Sequence, residues 1–248
     1  MPICKHETRF TCLRFEPKAG IFDCADAGLY CRYLTGIWAL QNCSGLNTAP
    51  AETKKSPEMF KASNRSEASS VLSGMTLGFS ADPFMRWLYP EPEEFLNHFP
   101  RVLDLFGGRA FDHGSAFRNE EFTAGALWLP PSIHPDEERL VACFEQTVAP
   151  EKHGALFETF GQMDQYHPDE DCWHLAFIAV DPRFQGRGEG TALLEVCLRH
   201  CDNDGRSAYL ESTNPANLSL YKRFGFEEMG VIQADQAPPL FPMFRAAR

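Results

Sequence analysis

From Trp173 onward the apolar positions fall into short runs and helical stripes that alternate along the chain. The stretch 173–180 is a continuous apolar run of strand length, and 187–201 repeats its apolar residues at helical spacing. Further along, the pattern predicts a strand at 207–213, a helix at 215–224 and two short strands near 227–232 and 242–245. A strand, a crossing helix and a second strand form a β-α-β unit, so the strands at 173–180 and 207–213 are expected to run parallel.

The middle of the chain is less regular. A short strand at 59–62 leads to Asn64 or Ser66 as a helix cap, and Val71, Leu72, Met75, Leu77 and Phe79 mark the helix, which Asp82-Pro83 is expected to stop. A segment at 84–89 follows. Phe95, Phe99, Val102, Leu103 and Phe106 then trace a further helix closed by Gly107-Gly108. Residues 109–118 and 122–129 read as antiparallel strands about the Arg118–Glu121 turn, and 135–147 reads as a surface-lying helix. Residues 1–56 show neither periodicity and end in a polar run, which predicts a disordered extension ahead of a domain at 57–248.

Composition narrows the class. Over 248 residues, 44% hydrophobic content suffices for a buried core, and a net charge of −11 disfavours a nucleic-acid binder, which presents a basic stripe to phosphate. The longest apolar runs fall far short of the ~20 residues that span a bilayer. The first residues carry no apolar segment with a cleavage site, so the location expected is cytoplasmic. Nine cysteines without a C-x-x-C pair give no zinc signature, and Cys143, Cys172, Cys197 and Cys201 are expected as ordinary core or helix-face thiols, with no metal.

Chemistry concentrates in Val180-Asp-Pro-Arg-Phe-Gln185-Gly186-Arg187-Gly188-Glu189-Gly190-Thr191, a strand turning through glycines into a helix. Glycines let the backbone approach a ligand, and the unpaired N–H groups of a first helical turn attract phosphate oxygens. No Gly-Lys-Ser/Thr closes the turn as in a P-loop, and Thr191 stands where the dinucleotide fingerprint needs a glycine.

The segment Gln185-Gly-Arg-Gly188-Glu-Gly190, preceded by Ile178-Ala179-Val180-Asp-Pro182, resembles the coenzyme A signature of the GNAT superfamily of acyl-CoA N-acyltransferases. Tyr209-Leu-Glu211-Ser-Thr-Asn214-Pro-Ala-Asn217-Leu-Ser-Leu-Tyr221-Lys-Arg-Phe-Gly225-Phe226 is similar to that family's second signature. The phrases at 82–87 and 126–131 look like a subgroup, which extends the resemblance over about 59–248.

The resemblance implies an α+β, three-layer fold: a mixed, mostly antiparallel sheet flanked by helices, with a parallel strand pair splayed at the acetyl-CoA site. It implies acetyl-CoA as co-substrate and a small-molecule primary amine as acceptor, attacked directly. The pantetheine arm is expected on the main chain of Ile178, Ala179 and Val180. The phosphates are expected on Gln185, Gly186, Arg187, Gly188, Glu189, Gly190 and Thr191, with Asn217 and Tyr221 also at the coenzyme. Tyr221 is expected as the acid for the leaving thiolate, and a main-chain N–H near 178–180 as the oxyanion partner. For the base, His174 and Glu211 compete, with a water chain as a third choice. Asn214 reads as a cap, and Phe79, Asp82, Arg86, Trp87 and Trp128 are candidates for the acceptor pocket. Protein N-terminal or lysine acetylation, a non-catalytic acyl-CoA sensor and an unrelated phosphate-ligand module stand as alternatives, and a homodimer stays open.

Overall fold

A computed structural model describes residues 60–248. The expected extension at 1–56, and the domain boundary beside it, lie outside the described residues.

Seven strands form one sheet in the order β1-β2-β3-β4-β5-β7-β6. They are β1 (Phe60–Ser63), β2 (Ala116–Asn119), β3 (Ala124–Leu129), β4 (Trp173–Val180), β5 (Ala208–Ser212), β6 (Glu227–Glu228) and β7 (Phe241–Arg245). Every neighbouring pair is antiparallel except β4 and β5, which run parallel. One face carries α1 (Ala68–Gly78), α2 (Pro83–Leu88), α3 (Pro92–Gly107), α4 (Glu137–Thr147) and α5 (His153–Tyr166); the other carries α6 (Glu189–Asn203) and α7 (Leu218–Arg223). The sheet therefore separates two apolar clusters, as a three-layer α+β fold requires. Among the described residues no helix is long and apolar enough to cross a membrane.

Strand β4 is irregular in two ways, in its register with β3 and in its short pairing with β5. Leu127 faces Phe177 but Trp128 faces Leu175, so Ala176 is an extra residue, a β-bulge. The bulge shows in the packing: Ala176 and Phe177 both join the cluster under α1 and α3, whereas Leu175 and Ile178 join the cluster under α6. A bulge bends its strand, and β4 pairs with β5 only at Trp173–Ala208 and His174–Tyr209. Beyond His174 the two strands part.

Local rules explain most element ends. Asn64 caps a 3-10 turn ahead of α1 by accepting from the Ser66 N–H. Asp82 does more than stop α1: its carboxylate accepts from the N–H groups of Phe84 and Met85 and starts α2, with Pro83 at the first helical position. Gly74 and Gly78 lie four residues apart on one side of α1. An added Cβ would come 1.8 Å from the Phe122 carbonyl oxygen at the first and 2.7 Å from the Ala179 Cβ at the second, so the helix sits against the strands at a distance only glycine permits.

Two expectations need correction, and one helix was not foreseen. The strand expected from 109 begins at Ala116, because residues 108–111 wind into a 3-10 turn with Ala110 and Phe111 buried. The strand expected at 227–232 shortens to two residues plus a bridge at Ile232–Leu240. Helix α5 was not anticipated, since Gly154 and Gly161 interrupt it and Leu156 and Thr159 are its only buried residues, too few to give a readable stripe. Cys143, Cys172, Cys197 and Cys201 are buried free thiols.

Candidate active site

The glycine turn ends in a helix start open to solvent. Gly186 and Gly188 take φ of +76° and +81°, a conformation that disfavours any side chain, and Gly188 is the N-cap of α6. Within the helix the first hydrogen bond to close is from the Ala192 N–H to the Gly188 carbonyl, so the main-chain N–H groups of Glu189, Gly190 and Thr191 precede the intrahelical ladder and point out of the helix start.

Side chains around the turn fix it. Gln185 donates from Nε2 to the Val180 carbonyl at 3.0 Å, tying the turn back to the end of β4. The Glu189 side chain turns inward, where it accepts from Asn119 Nδ2 at 3.4 Å, so this residue offers its main chain to the turn. Arg183 is held by Asp181, at 2.7 Å between Nη2 and Oδ2, which keeps that carboxyl below its ordinary range. Arg187 lies over the Phe184 ring at 5.3 Å and is exposed, with Arg183 over the same ring at 5.7 Å. Two guanidinium groups thus flank a helix start, a setting suited to phosphates.

At the parting of β4 and β5, elements from both faces of the sheet meet. Tyr221 of α7 is buried, and burial together with the nearby Asp82 charge pushes its phenol well above the usual range. Asp82, from the opposite face, is itself raised by burial although Thr213, just past β5, donates to its Oδ2 at 2.5 Å. Asn214 caps the turn after β5 by accepting from the Ala216 N–H, and Asn217, exposed, precedes α7 without a side-chain cap bond.

His174 and Glu211, the two competing bases, are bonded to each other. His174 Nε2 and Glu211 Oε2 lie 2.9 Å apart, with side chains 10% and 7% exposed. A neutral imidazole so placed keeps its proton on Nε2, donating it to the carboxylate, and leaves Nδ1 as the lone pair. Around them pack Phe106, Tyr209 and His167, with ring centroids 5.8, 5.5 and 5.7 Å from His174. Tyr209 is fully buried, and its phenol is raised by burial and by the Glu211 charge. His167 is lowered by burial and by the neighbouring imidazole.

His174 and Glu211 form the floor of a cavity of about 440 Å³ walled by α4, α5 and the segment 167–172. A smaller space of about 50 Å³ shares Phe106, Phe144, Phe160, Met163 and Glu211 with it and continues to Ala176, Phe177 and Thr213. The two thus lie on either side of shared residues, the larger at His174 and Glu211 and the smaller at the parting of the strands.

The residues expected at the acceptor pocket line neither cavity. Trp128 is buried in the core beneath α6, Phe79 packs edge-on against Phe99 and Phe177, and Arg86 reaches the Pro90 carbonyl and the Phe95 ring. Trp87 packs on Phe84 and beneath Lys152. Of the five, Asp82 alone adjoins the small cavity, through Thr213. The large cavity escaped sequence reasoning because α5 and the 167–172 segment supply much of its wall.

Comparison with known proteins agrees with this geometry. Residues 112–226, from before β2 through α7, match the Acetyltransferase (GNAT) family. Over just under half of the chain, then, the sequence is similar to the GNAT acetyltransferases. An uncharacterized N-acetyltransferase of Schizosaccharomyces pombe is 32% identical over 80 residues, 31% of this chain and 32% of the relative. The chain thus matches about a third of that curated relative's length. Among solved structures, arylalkylamine N-acetyltransferase 2 from Aedes aegypti superposes on the GNAT fold with a TM-score of 0.56 at 14% identity, covering 76% of this chain and 98% of that one. The "histone acetyltransferase HPA2 and related acetyltransferase" of Corynebacterium glutamicum gives 0.54 at 23% identity, covering 77% and 96%. At these identities the structural likeness speaks for the fold.

Proposed function

We propose that the protein is an N-acetyltransferase that moves an acetyl group from acetyl-CoA to the primary amine of a small molecule by direct attack. The observation that carries this reading is the opened β4–β5 pair, with an anion-attracting helix start at one end of β4 and a buried histidine–carboxylate pair at the other. Bound coenzyme would lay its pyrophosphate on the N–H groups of Glu189, Gly190 and Thr191, with Gly186 and Gly188 leaving room for it and Arg187 alongside. Its pantetheine would run along the main chain of Ile178–Val180 where β5 no longer pairs.

In the reaction the amine nitrogen attacks the thioester carbonyl, a C–N bond forms and the C–S bond breaks. His174 Nδ1 takes the proton the amine loses, with Glu211 fixing the tautomer and stabilising the imidazolium. Tyr221 donates a proton to the departing thiolate. A phenol near pKa ~10 is a weak donor to a thiolate whose acid lies near ~8.5. Its burial beside Asp82 makes the phenolate unfavourable, so Tyr221 must be reprotonated in step with product release.

Release of free CoA thiol from acetyl-CoA across a panel of amines tests this, with Tyr221→Phe as control. Amine-dependent release that falls sharply in the variant is expected. Tight acetyl-CoA binding without release on any amine would overturn the reading in favour of a non-catalytic sensor.

A further inference from the structure

We infer that the acceptor enters by the 440 Å³ cavity, and that it is a primary amine with an apolar middle and a second cationic group at its far end. This rests on the acetyltransfer reading above and names the substrate class of that site.

Three features of the cavity lead there. Its floor is the His174–Glu211 pair, and the smaller space beyond reaches the strand opening, so an amine seated on the floor is directed toward the thioester. Its walls are apolar, formed by Leu140, Phe144, Phe157, Phe160 and Met163. Such walls suit a hydrocarbon or aryl segment.

Charge at the mouth is of one sign. Glu137, Asp164, Asp169 and Glu170 are exposed there, and among the described residues no lysine or arginine lines the cavity. None of these four is in an ion pair among the described residues. Ser207 gives its hydroxyl to Glu170, and Ser132 gives its own to the adjacent Asp171, whose main-chain carbonyl also accepts from Arg206. A ring of unpaired carboxylates around an apolar shaft draws in cations and disfavours anions. An acceptor with one amine fills the floor and leaves the ring unused, whereas a second cation on a linker of about the shaft's length satisfies both.

Three amines of equal length separate the possibilities: 1,5-diaminopentane, pentylamine and 5-aminopentanoate. The diamine is expected to exceed pentylamine in kcat/KM by about tenfold, as several weak exposed contacts acting together allow, and 5-aminopentanoate to fall below both. High salt should narrow the first gap. Glu137→Gln with Asp164→Asn, both on the surface, should lower the diamine's advantage over pentylamine severalfold, reducing pentylamine turnover far less and leaving the KM for acetyl-CoA unchanged. Calorimetry of diamine and pentylamine with the CoA-bound protein reads the cavity without relying on turnover. Tighter binding of the diamine with no thiol release would refute the catalytic reading and keep the ligand class. Turnover with equal preference for pentylamine, or a preference that the double variant leaves intact, would overturn the inference and keep the enzyme.

Discussion

Replacing Gly78 by alanine puts a methyl group where α1 meets the strand expected to hold the coenzyme. The new Cβ would lie 2.7 Å from the Ala179 Cβ and 3.1 Å from the main-chain nitrogen and oxygen of Val180, inside the 3.4 Å at which ordinary contact begins. None of these atoms is the end of a flexible side chain, so α1 or the end of β4 must move. Overpacking of this kind costs about 1–3 kcal/mol. For a chain of this size each kcal/mol lowers the melting temperature by about 2–4 °C, so a drop on the order of 5 °C is expected. Gly161→Ala is the matched control, because the same methyl group enters the middle of α5 with no atom within 4 Å. There it should raise stability by about 0.5–1 kcal/mol, the helix penalty of glycine. Thermal denaturation of the full chain reads both signs, and acetyl-CoA titration should show weaker binding for Gly78→Ala alone. If Gly78→Ala melts with the parent and binds coenzyme equally well, α1 does not set the position of β4 and the packing argument fails.

Three further outcomes are expected. Tyr221→Phe should lower kcat by about 10²-fold or more, the usual scale of a positioned proton donor, and leave acetyl-CoA affinity within twofold; an unchanged kcat would remove Tyr221 from the acid role. Arg187→Ala should weaken acetyl-CoA binding about fivefold at low salt and less at high salt, measured by titration, as for an exposed charge-assisted contact; a salt-independent loss would point to distortion of the turn instead. Asp82→Asn should become more stable relative to the parent as pH rises. Burial raises the Asp82 pKa on folding, so the folded state holds the proton more tightly than the unfolded chain, and the resulting stabilisation is present below the unfolded pKa and lost as pH rises through the folded one. Asparagine keeps the cap on α2 without the buried charge, so melting curves from pH 4 to 7 should diverge, and parallel curves would contradict the shift.

The two coenzyme signatures were legible because their physics is local. Glycines at positive φ, a helix start and an apolar strand are adjacent in sequence, and β4 lies at 173–180 as its run predicts. The strand partnership of β4 and β5 followed from the crossing helix. The pairing of His174 with Glu211 was not legible, because residues 37 apart meet only through the parallel register that sets His174 beside Tyr209. Residues 82 and 213 likewise come together only when α2 and the end of β5 close over the same opening. The large cavity was not legible for a different reason. Aromatic residues such as Trp128 and Phe79 attract attention in a sequence, yet the structure places them in the core, while the cavity wall comes from a helix whose glycines hide its period.

The bulge at Ala176 makes the opening a matter of counting. Substituting any side chain along β4 leaves the number of residues between Trp173 and Val180 unchanged, and with it the bend. Deleting Ala176 would give Leu127 and Trp128 successive partners and straighten the strand, while His174 would stay opposite Leu129 on the face it holds now. A single codon lost in frame would thus remove the bend that opens the strands, even if the histidine, its carboxylate and every other residue in the chain stayed the same.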